Sequence, residues 1–587
     1  MVLESLAVRL EDKRSLALQK IQFHGEGTQC KRKSSCWRST KMQEEFRDTT
    51  AQCFDVIVVG AGLAGICAVY KLREMGVSVR ALEAGGGVGG TWYHNRYPGA
   101  RCDIESLDYS YSFSNELQQE WHWSERYAGQ PEILRYINHV ADRFDLRKDI
   151  QLNTRVTQAR FDETRERWVF STDTGETFSA KYAVMATGVL SVAQVPSMKG
   201  LEDFKGEWFH TGDWPRQEVQ VQGKRVGVIG TGSSATQLIP LVAKNAGHLY
   251  VFQRTPNYTM PAQNHSMKPE VEKEWKANYP ERRKFAWASG FGHNQVSNHL
   301  SGKEMSPDER LAELENRWQL GGLYMMRAFK DILIDPEVNE AAAEFVRDKI
   351  RSTVHDKATA EALAPRNLYI GTKRLCSGTN YYETFNRENV SLVNVQEKPI
   401  DCVTAHGLRL AGGKEYELDI LVFATGFDAM TGAMNKINPV GRNGLPLRQA
   451  WAAGPRTYLG LCVAGFPNMF VITGPGSPSV FSNMVTSIEQ HVEWIANCIS
   501  HMRSQGLSAI EPTAQAQDEW TDHVTDAASK TLYAQSRNSW FHGANIPGKP
   551  VVFMPYVGGV GNYYRKITQV AESGYVGFNL STARMPS

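Results

Sequence analysis

Asp55-Val56-Ile57-Val58-Val59-Gly60-Ala61-Gly62-Leu63-Ala64-Gly65 decides the fold. Val56 to Val59 are continuously apolar, the pattern of a parallel strand buried on both faces. Three glycines follow at G-x-G-x-x-G spacing, then Ile66 to Met75 with helical periodicity, then a second strand, Val77 to Ala81. The glycines let the backbone turn tightly, approach a pyrophosphate and pack helix on strand, while the helix N-terminus faces the phosphate charge. Glu83, 23 positions after Gly60, stands where a carboxylate accepts ribose hydroxyls. Three glycines alone are a weak signal; with a strand before, a helix after and an acid in place they specify a dinucleotide site.

A second unit starts at Arg225-Val226-Gly227-Val228-Ile229, followed by Gly230-Thr231-Gly232-Ser233-Ser234-Ala235 and a helix from about Thr236. Ala235 takes the third glycine position, which the fingerprint allows. The strand His248 to Phe252 ends in Gln253-Arg254-Thr255-Pro256, with no acid where Glu83 stood in the first unit. Arg254, 24 positions after Gly230, attracts a 2′-phosphate that an acid would repel. One acidic and one basic ribose position assign FAD to the first unit and NADPH to the second. The expected fold is α/β, with two Rossmann-like dinucleotide-binding domains for FAD and NADP and a helical insert.

The chain has 587 residues, 42% hydrophobic and 22% charged, enough for two or three domains. A formal charge of +2 gives no nucleic-acid signature, and no run of eighteen apolar residues predicts a membrane span. Nine scattered cysteines without Cys-x-x-Cys disfavour a disulfide framework, a metal site and a dithiol pair together, which suits a reduced, cytoplasmic protein. Nothing in the chain fixes an oligomeric state.

The expected domains are an N-terminal extension over 1–50, an FAD domain from 51–188 and 418–587, an NADP domain from 189–261 and 365–417, and a helical insert over 262–364. In the insert, Ser306-Pro307-Asp308-Glu309 is a capping box ahead of Leu311, Leu314 and Trp318, and Asp335-Pro336 opens a helix carrying Val338, Ala342, Phe345 and Val346. Ala186-Thr187-Gly188 and Ala424-Thr425-Gly426 close two apolar strands on either side of the second unit. Each is, by itself, an uninformative small-residue turn.

Between the two units lies Phe204-Lys205-Gly206-Glu207-Trp208-Phe209-His210-Thr211-Gly212-Asp213-Trp214-Pro215, which reads as a semi-rigid aromatic connector closed by proline. It resembles the F-x-G-x-x-x-H-T-x-x-W-P fingerprint of flavin-dependent Baeyer–Villiger monooxygenases at Phe204, Gly206, His210, Thr211, Trp214 and Pro215. Related N-hydroxylating and heteroatom-oxidising flavoenzymes share the first half; the T-x-x-W-P half separates the ketone oxidisers from them.

That resemblance implies further roles. Gly89-Gly90-Thr91-Trp92 and the run to Asp103 resemble the family segment beneath the flavin ring, giving Gly90, Thr91, Trp92 and Asp103 as cofactor contacts. Lys373-Arg374 ahead of Tyr381-Tyr382-Glu383-Thr384-Phe385-Asn386 resembles the pair in which Lys holds the NADP phosphate and Arg reaches the flavin. Arg374 and Asp103 are thus the implied catalytic pair, the arginine stabilising oxyanions and the aspartate orienting it. Ser479, Val480 and Phe481 match a substrate-lining bulge, and Trp540 anchors a loop that resembles one closing on NADP. The two Ala-Thr-Gly turns look like the family's domain crossings. The implied activity is NADPH- and O2-dependent insertion of oxygen beside a ketone carbonyl through a flavin peroxide, on a bulky cyclic ketone of secondary metabolism. The alternatives are a sulfur or nitrogen oxidiser and, in another class, a non-catalytic nucleotide-binding redox sensor.

Overall fold

The computed structural model describes residues 51–582, so the extension expected over 1–50 lies outside the described residues. The Asp55–Gly65 stretch becomes the strand Gln52–Val59 and the helix Leu63–Glu74. The strand pairs in parallel with Val79–Leu82 on one side and Thr177–Met185 on the other. Val56, Ile57 and Val58 are wholly buried, as a strand covered on both faces requires. The sheet runs Ile150–Gln151, Val79–Leu82, Gln52–Val59, Thr177–Met185, Arg167–Thr172, Val156–Asp162, with Met469–Val471 also paired to Thr177–Met185.

The second sheet is parallel throughout, in the order Val390–Asn394, His248–Gln253, Arg225–Ile229, Ile420–Phe423, Glu207–His210. Two sequence expectations change here. The fingerprint is not a plain connector: Glu207–His210 is an edge strand, with His210 opposite Phe423. Gly206 permits that approach, since a Cβ there would meet the Asp419 carbonyl oxygen at 2.4 Å. The return to the first domain also comes later than residue 418. Ile420–Phe423 is buried along its whole length and takes backbone partners from both Arg225–Ile229 and Glu207–His210, so it belongs to the second sheet.

Both Ala-Thr-Gly turns lie at the exits of these sheets, and the links that follow them run side by side. Gln194 N donates to Gly426 O at 2.9 Å, Asp428 N donates to Val192 O at 2.9 Å, and Ala193 bridges Phe427 in antiparallel fashion.

The insert contains Pro269–Ala277, Tyr279–Ala288, Pro307–Leu320, Pro336–Thr353 and Lys357–Leu363. The capping box forms between Ser306 and Glu309, and Asp335 caps the amides of Glu337 and Val338. Leu314 is buried but Leu311 faces outward, so the apolar stripe of Pro307–Leu320 is narrower than its spacing suggested. No helix among the described residues is long and apolar enough to cross a membrane.

Candidate active site

Each glycine-rich turn is fitted to its own Ala-Thr-Gly exit. Gly60 has φ +107°, and a Cβ on it would sit 2.6 Å from Ala186 O; Gly230 has φ +116°, and a Cβ on it would sit 2.5 Å from Ala424 O. Gly60 N donates to Leu82 O at 2.8 Å, and Gly230 N to Phe252 O at 3.1 Å. Neither following helix, Leu63–Glu74 nor Ser233–Asn245, has a side-chain cap, so both present first-turn amides to an incoming phosphate. These two cradles fit two dinucleotides.

They differ in what surrounds them. In the first, Glu83 is buried and accepts from Ala61 N at 2.7 Å and Gly85 N at 2.6 Å. Those bonds orient the carboxylate and leave acceptor capacity for ribose hydroxyls. Gly89 N donates to Ala61 O at 2.9 Å, and Gly62 and Gly90 approach so closely that a Cβ on Gly90 would lie 2.9 Å from the Gly62 Cα. Gly65 is equally constrained by the Gly60 carbonyl. Trp92 is buried, with Nε1 donating to Tyr109 OH at 3.0 Å, while Thr91 is exposed at the start of its helical turn.

In the second cradle, Gly232 has no atom within 4 Å of a Cβ position. Ala235 is buried, and the Ser233 hydroxyl lies 3.6 Å from Cys376 Sγ. Thr255 offers its carbonyl to Thr231 Oγ1 at 2.9 Å, which positions the exposed Arg254 beside it. Burial first, and then the positive charge of Arg254, lowers the pKa of Lys373. Two neighbouring cations, neither ion-paired among the described residues, suit a phosphate.

Lys373-Arg374 leads into the short strand Cys376–Gly378, which pairs with Thr259–Pro261, and Asn257 Nδ2 holds Arg374 O at 3.0 Å. From there the Arg374 side chain reaches the loop of the first unit. Nε donates to Asp103 Oδ2 at 3.0 Å and Nη2 to Oδ1 at 2.7 Å, a two-pronged pair; Nη1 donates to Val480 O at 2.6 Å. Burial acts to lower the Arg374 pKa, but Asp103 more than offsets it and the net shift is upward. The guanidinium is therefore a fixed cation, about a quarter exposed.

Phe481 packs against Phe541, Tyr533 and Phe553 with ring centres 4.5, 4.8 and 6.1 Å apart. Val480 and Trp540 join the same apolar cluster. Ser479 is wholly buried and turns its hydroxyl to Thr473 O at 3.3 Å, so Phe481 is the most open of the three bulge residues. The Trp540 loop is tied to the domain link by Asn545 Nδ2 on Phe427 O at 2.8 Å and Lys549 Nζ on Asp428 Oδ1 at 2.6 Å.

The fingerprint residues stand apart from Arg374. His210 Nδ1 accepts from Gly212 N at 2.9 Å, and its ring meets Phe427 edge-on at 5.9 Å. Phe204 and Trp214 are buried on opposite sides of the second sheet, and Thr211 is wholly buried. Burial lowers the His210 pKa. These residues brace the domain link.

Sequence reasoning missed Gln237. Its side chain accepts from Tyr97 OH at 2.8 Å and donates to Arg101 O at 3.1 Å, clamping the Asp103 loop to the second nucleotide helix. It also missed Tyr533, Phe541 and Phe553; Tyr533 and Phe541 flank the Trp540 motif and were legible as aromatics without a partner. A cavity of about 440 Å³, lined by Ser112, Arg283, Trp287 and Tyr564 among others, shares no residue with these groups.

Two dinucleotide cradles meeting at a half-buried arginine–aspartate pair define a flavoprotein that takes its electrons from a nicotinamide nucleotide. The pyridine nucleotide-disulphide oxidoreductase family matches residues 57–290. A Baeyer-Villiger monooxygenase of Pseudooceanicola batsensis is 44% identical, covering 91% of this chain and 97% of its own. The phenazine N-monooxygenase PhzNO1 of Lysobacter antibioticus is 43% identical, covering 90% and 97%. An oxidised steroid monooxygenase structure bound to NADP superposes with a TM-score of 0.87 at 50% identity, covering 91% and 100%. The chain belongs to the flavin-dependent Baeyer–Villiger monooxygenases. It is an FAD- and NADPH-dependent oxidoreductase that uses O2 to insert one oxygen atom beside a ketone carbonyl.

Proposed function

We propose that Arg374 is the residue on which oxygen insertion depends, acting on a bulky cyclic ketone of secondary metabolism in the cytoplasm. The observation that carries this reading is the Arg374–Asp103 fork beside the Phe481 cluster: a fixed positive charge at the edge of an apolar, aromatic wall. Bound FAD, reduced by NADPH, supplies the activated oxygen. Arg374 stabilises negative charge on the oxygen that attacks and then on the ketone oxygen, where a preorganised cation in a dry site contributes most. Asp103 fixes the direction of the guanidinium and keeps it charged. Gly60, Gly62, Gly65, Glu83, Gly90, Thr91 and Trp92 hold FAD. Gly230, Gly232, Ser233, Ala235, Arg254, Thr255, Lys373 and Trp540 hold NADP and keep water away. Phe481 and its aromatic partners bound the substrate, with Val480 contributing backbone. The stretches 51–188 and beyond Gly426 form the FAD domain, and the second sheet forms the NADP domain.

Aerobic turnover with NADPH against steroid, terpenoid, macrocyclic and aryl ketones tests the reading. The expected product is an ester or lactone one oxygen heavier than a bulky cyclic ketone; turnover confined to small acyclic ketones would overturn the substrate class. A second reading, N-oxidation, is favoured by the likeness to the phenazine N-monooxygenase. An N-oxide formed faster than any ester would select it.

A further inference from the structure

Four arginines are buried among the described residues, and three of them place Nε and at least one Nη on oxygen acceptors. Arg283 donates to Gln118, Asp108 O and Ser110; Arg317 pairs with Glu313 and Val296 O; Arg347 pairs with Glu340 and Glu344 and reaches Tyr258 and Pro365 O. Arg327 does not. It ends the helical turn Tyr324–Arg327 of the insert, is 4% exposed, and forms no ion pair among the described residues. Its Nε has no partner, Nη1 has one long contact of 3.5 Å to Met326 O, and Nη2 faces His293 Nε2 at 3.0 Å.

His293 does not complete it. Its Nδ1 already faces the Gln295 amide at 3.2 Å, so N–H groups approach both ring nitrogens, and a neutral imidazole has one acceptor. Burial, with Arg327 and Arg374 adding to it, pushes the His293 pKa well down, so the ring is neutral. The guanidinium carbon sits 3.2 Å from the centre of the Phe291 ring. A buried charge with unspent donors is costly unless an anion or acceptor joins it.

Its neighbours place this charge on the substrate side. Asn483 N, two residues beyond Phe481, donates to Phe291 O at 2.8 Å. Leu333 packs in the Phe481 cluster, and Leu532 N donates to Leu333 O at 2.9 Å. The ionisable groups whose charge Arg327 feels are Tyr533, Arg317, Arg374 and Tyr324. Burial chiefly lowers its pKa to about 9, so it remains a cation at neutral pH.

We propose that Arg327 is a substrate-recognition residue that holds a carboxylate carried by the ketone while the carbonyl lies at Arg374. The inference rests on the ketone-oxidising role assigned to Arg374. Asp103 is taken by Arg374, and no carboxylate among the described residues pairs with Arg327, which leaves an uncompensated positive charge there. A second carboxylate, brought by the substrate, neutralises it and takes the empty N–H groups.

The test uses cyclohexanones bearing a carboxylate directly, through one methylene or through three, each against its methyl ester, in the FAD-loaded full chain. For at least one length, kcat/KM is expected to favour the acid over its ester by about tenfold to a hundredfold. Arg327→Met should abolish that ratio and Arg327→Lys retain part of it. The acid-to-ester ratio is taken within each variant, so a loss of folded enzyme cancels. Calorimetric Kd values for cyclohexylacetate, which has no ketone, should weaken by a similar factor in Arg327→Met. An acid-to-ester ratio at or below one for every length, or a ratio and Kd unmoved in Arg327→Met, would overturn the inference. Failure to oxidise any ketone would instead sink the role assigned to Arg374, a result distinguishable from esters and acids reacting alike.

Discussion

The two nucleotide units share one backbone device and differ in charge and room. Gly60 against Ala186 O and Gly230 against Ala424 O are the same solution twice: a glycine at positive φ pressed on the carbonyl just past the end of a neighbouring parallel strand. The first turn is then pinned by Gly89-Gly90 and finished by buried Glu83. The second is open at Gly232 and finished by Arg254 and Lys373. A closed, acid-lined cradle suits a cofactor that stays, and an open, cationic one suits a phosphorylated cofactor that exchanges.

Breaking the shared device should have the largest effect. Gly60→Ala forces a Cβ against a backbone oxygen in a φ region that alanine avoids, at a cost on the order of 3 kcal/mol or more. The expected result is loss of bound flavin and a lower melting temperature, read from the flavin-to-protein absorbance ratio and a thermal scan. Gly232→Ala meets open space and should keep flavin content and melting temperature. Equal damage from both would remove the contrast in room.

The contrast in charge is tested next. Arg254→Glu should lower kcat/KM for NADPH about a hundredfold while sparing NADH, since a charge-assisted contact of about 1.5–3 kcal/mol is replaced by repulsion. Lys373 gives a milder, pH-dependent signature. Because burial and Arg254 lower its pKa, it loses its proton below the ordinary lysine range. The KM for NADPH should therefore be lowest at neutral pH and rise toward alkaline pH, and Lys373→Met should flatten that rise. The smallest effect concerns the clamp between the units: Tyr97→Phe removes one hydrogen bond to Gln237, about 1 kcal/mol, visible as a small drop in melting temperature with flavin retained.

What the sequence disclosed follows from range. Gly60, Glu83, Gly230 and Arg254 were legible because strand, turn, helix and ribose position lie within about 25 residues and obey fixed spacings. The capping box at Ser306 was legible for the same reason. Gln237 was not, since its partners Tyr97 and Arg101 are 140 and 136 positions away and nothing local marks a glutamine as a clamp. The Glu207–His210 strand was hidden because its pairing partner, Ile420–Phe423, lies two hundred residues on, and aromatic residues before a proline read as a connector. Nothing local marks Arg327, and that it forms no ion pair among the described residues is visible only after folding. Arg374 and Asp103 were found through family resemblance; spacing alone would not join residues 271 positions apart.

The central claim is that the fixed charge of Arg374 acts on oxygen transfer and not on electron delivery. Arg374→Ala, mixed without air with NADPH and then with O2 and a cyclic ketone, measures both halves in one protein. The expected result is flavin reduction within about twofold of wild type and ester formation lowered about a hundredfold or more. Ester formed at the wild-type rate, or flavin reduction lost along with it, would contradict the assignment.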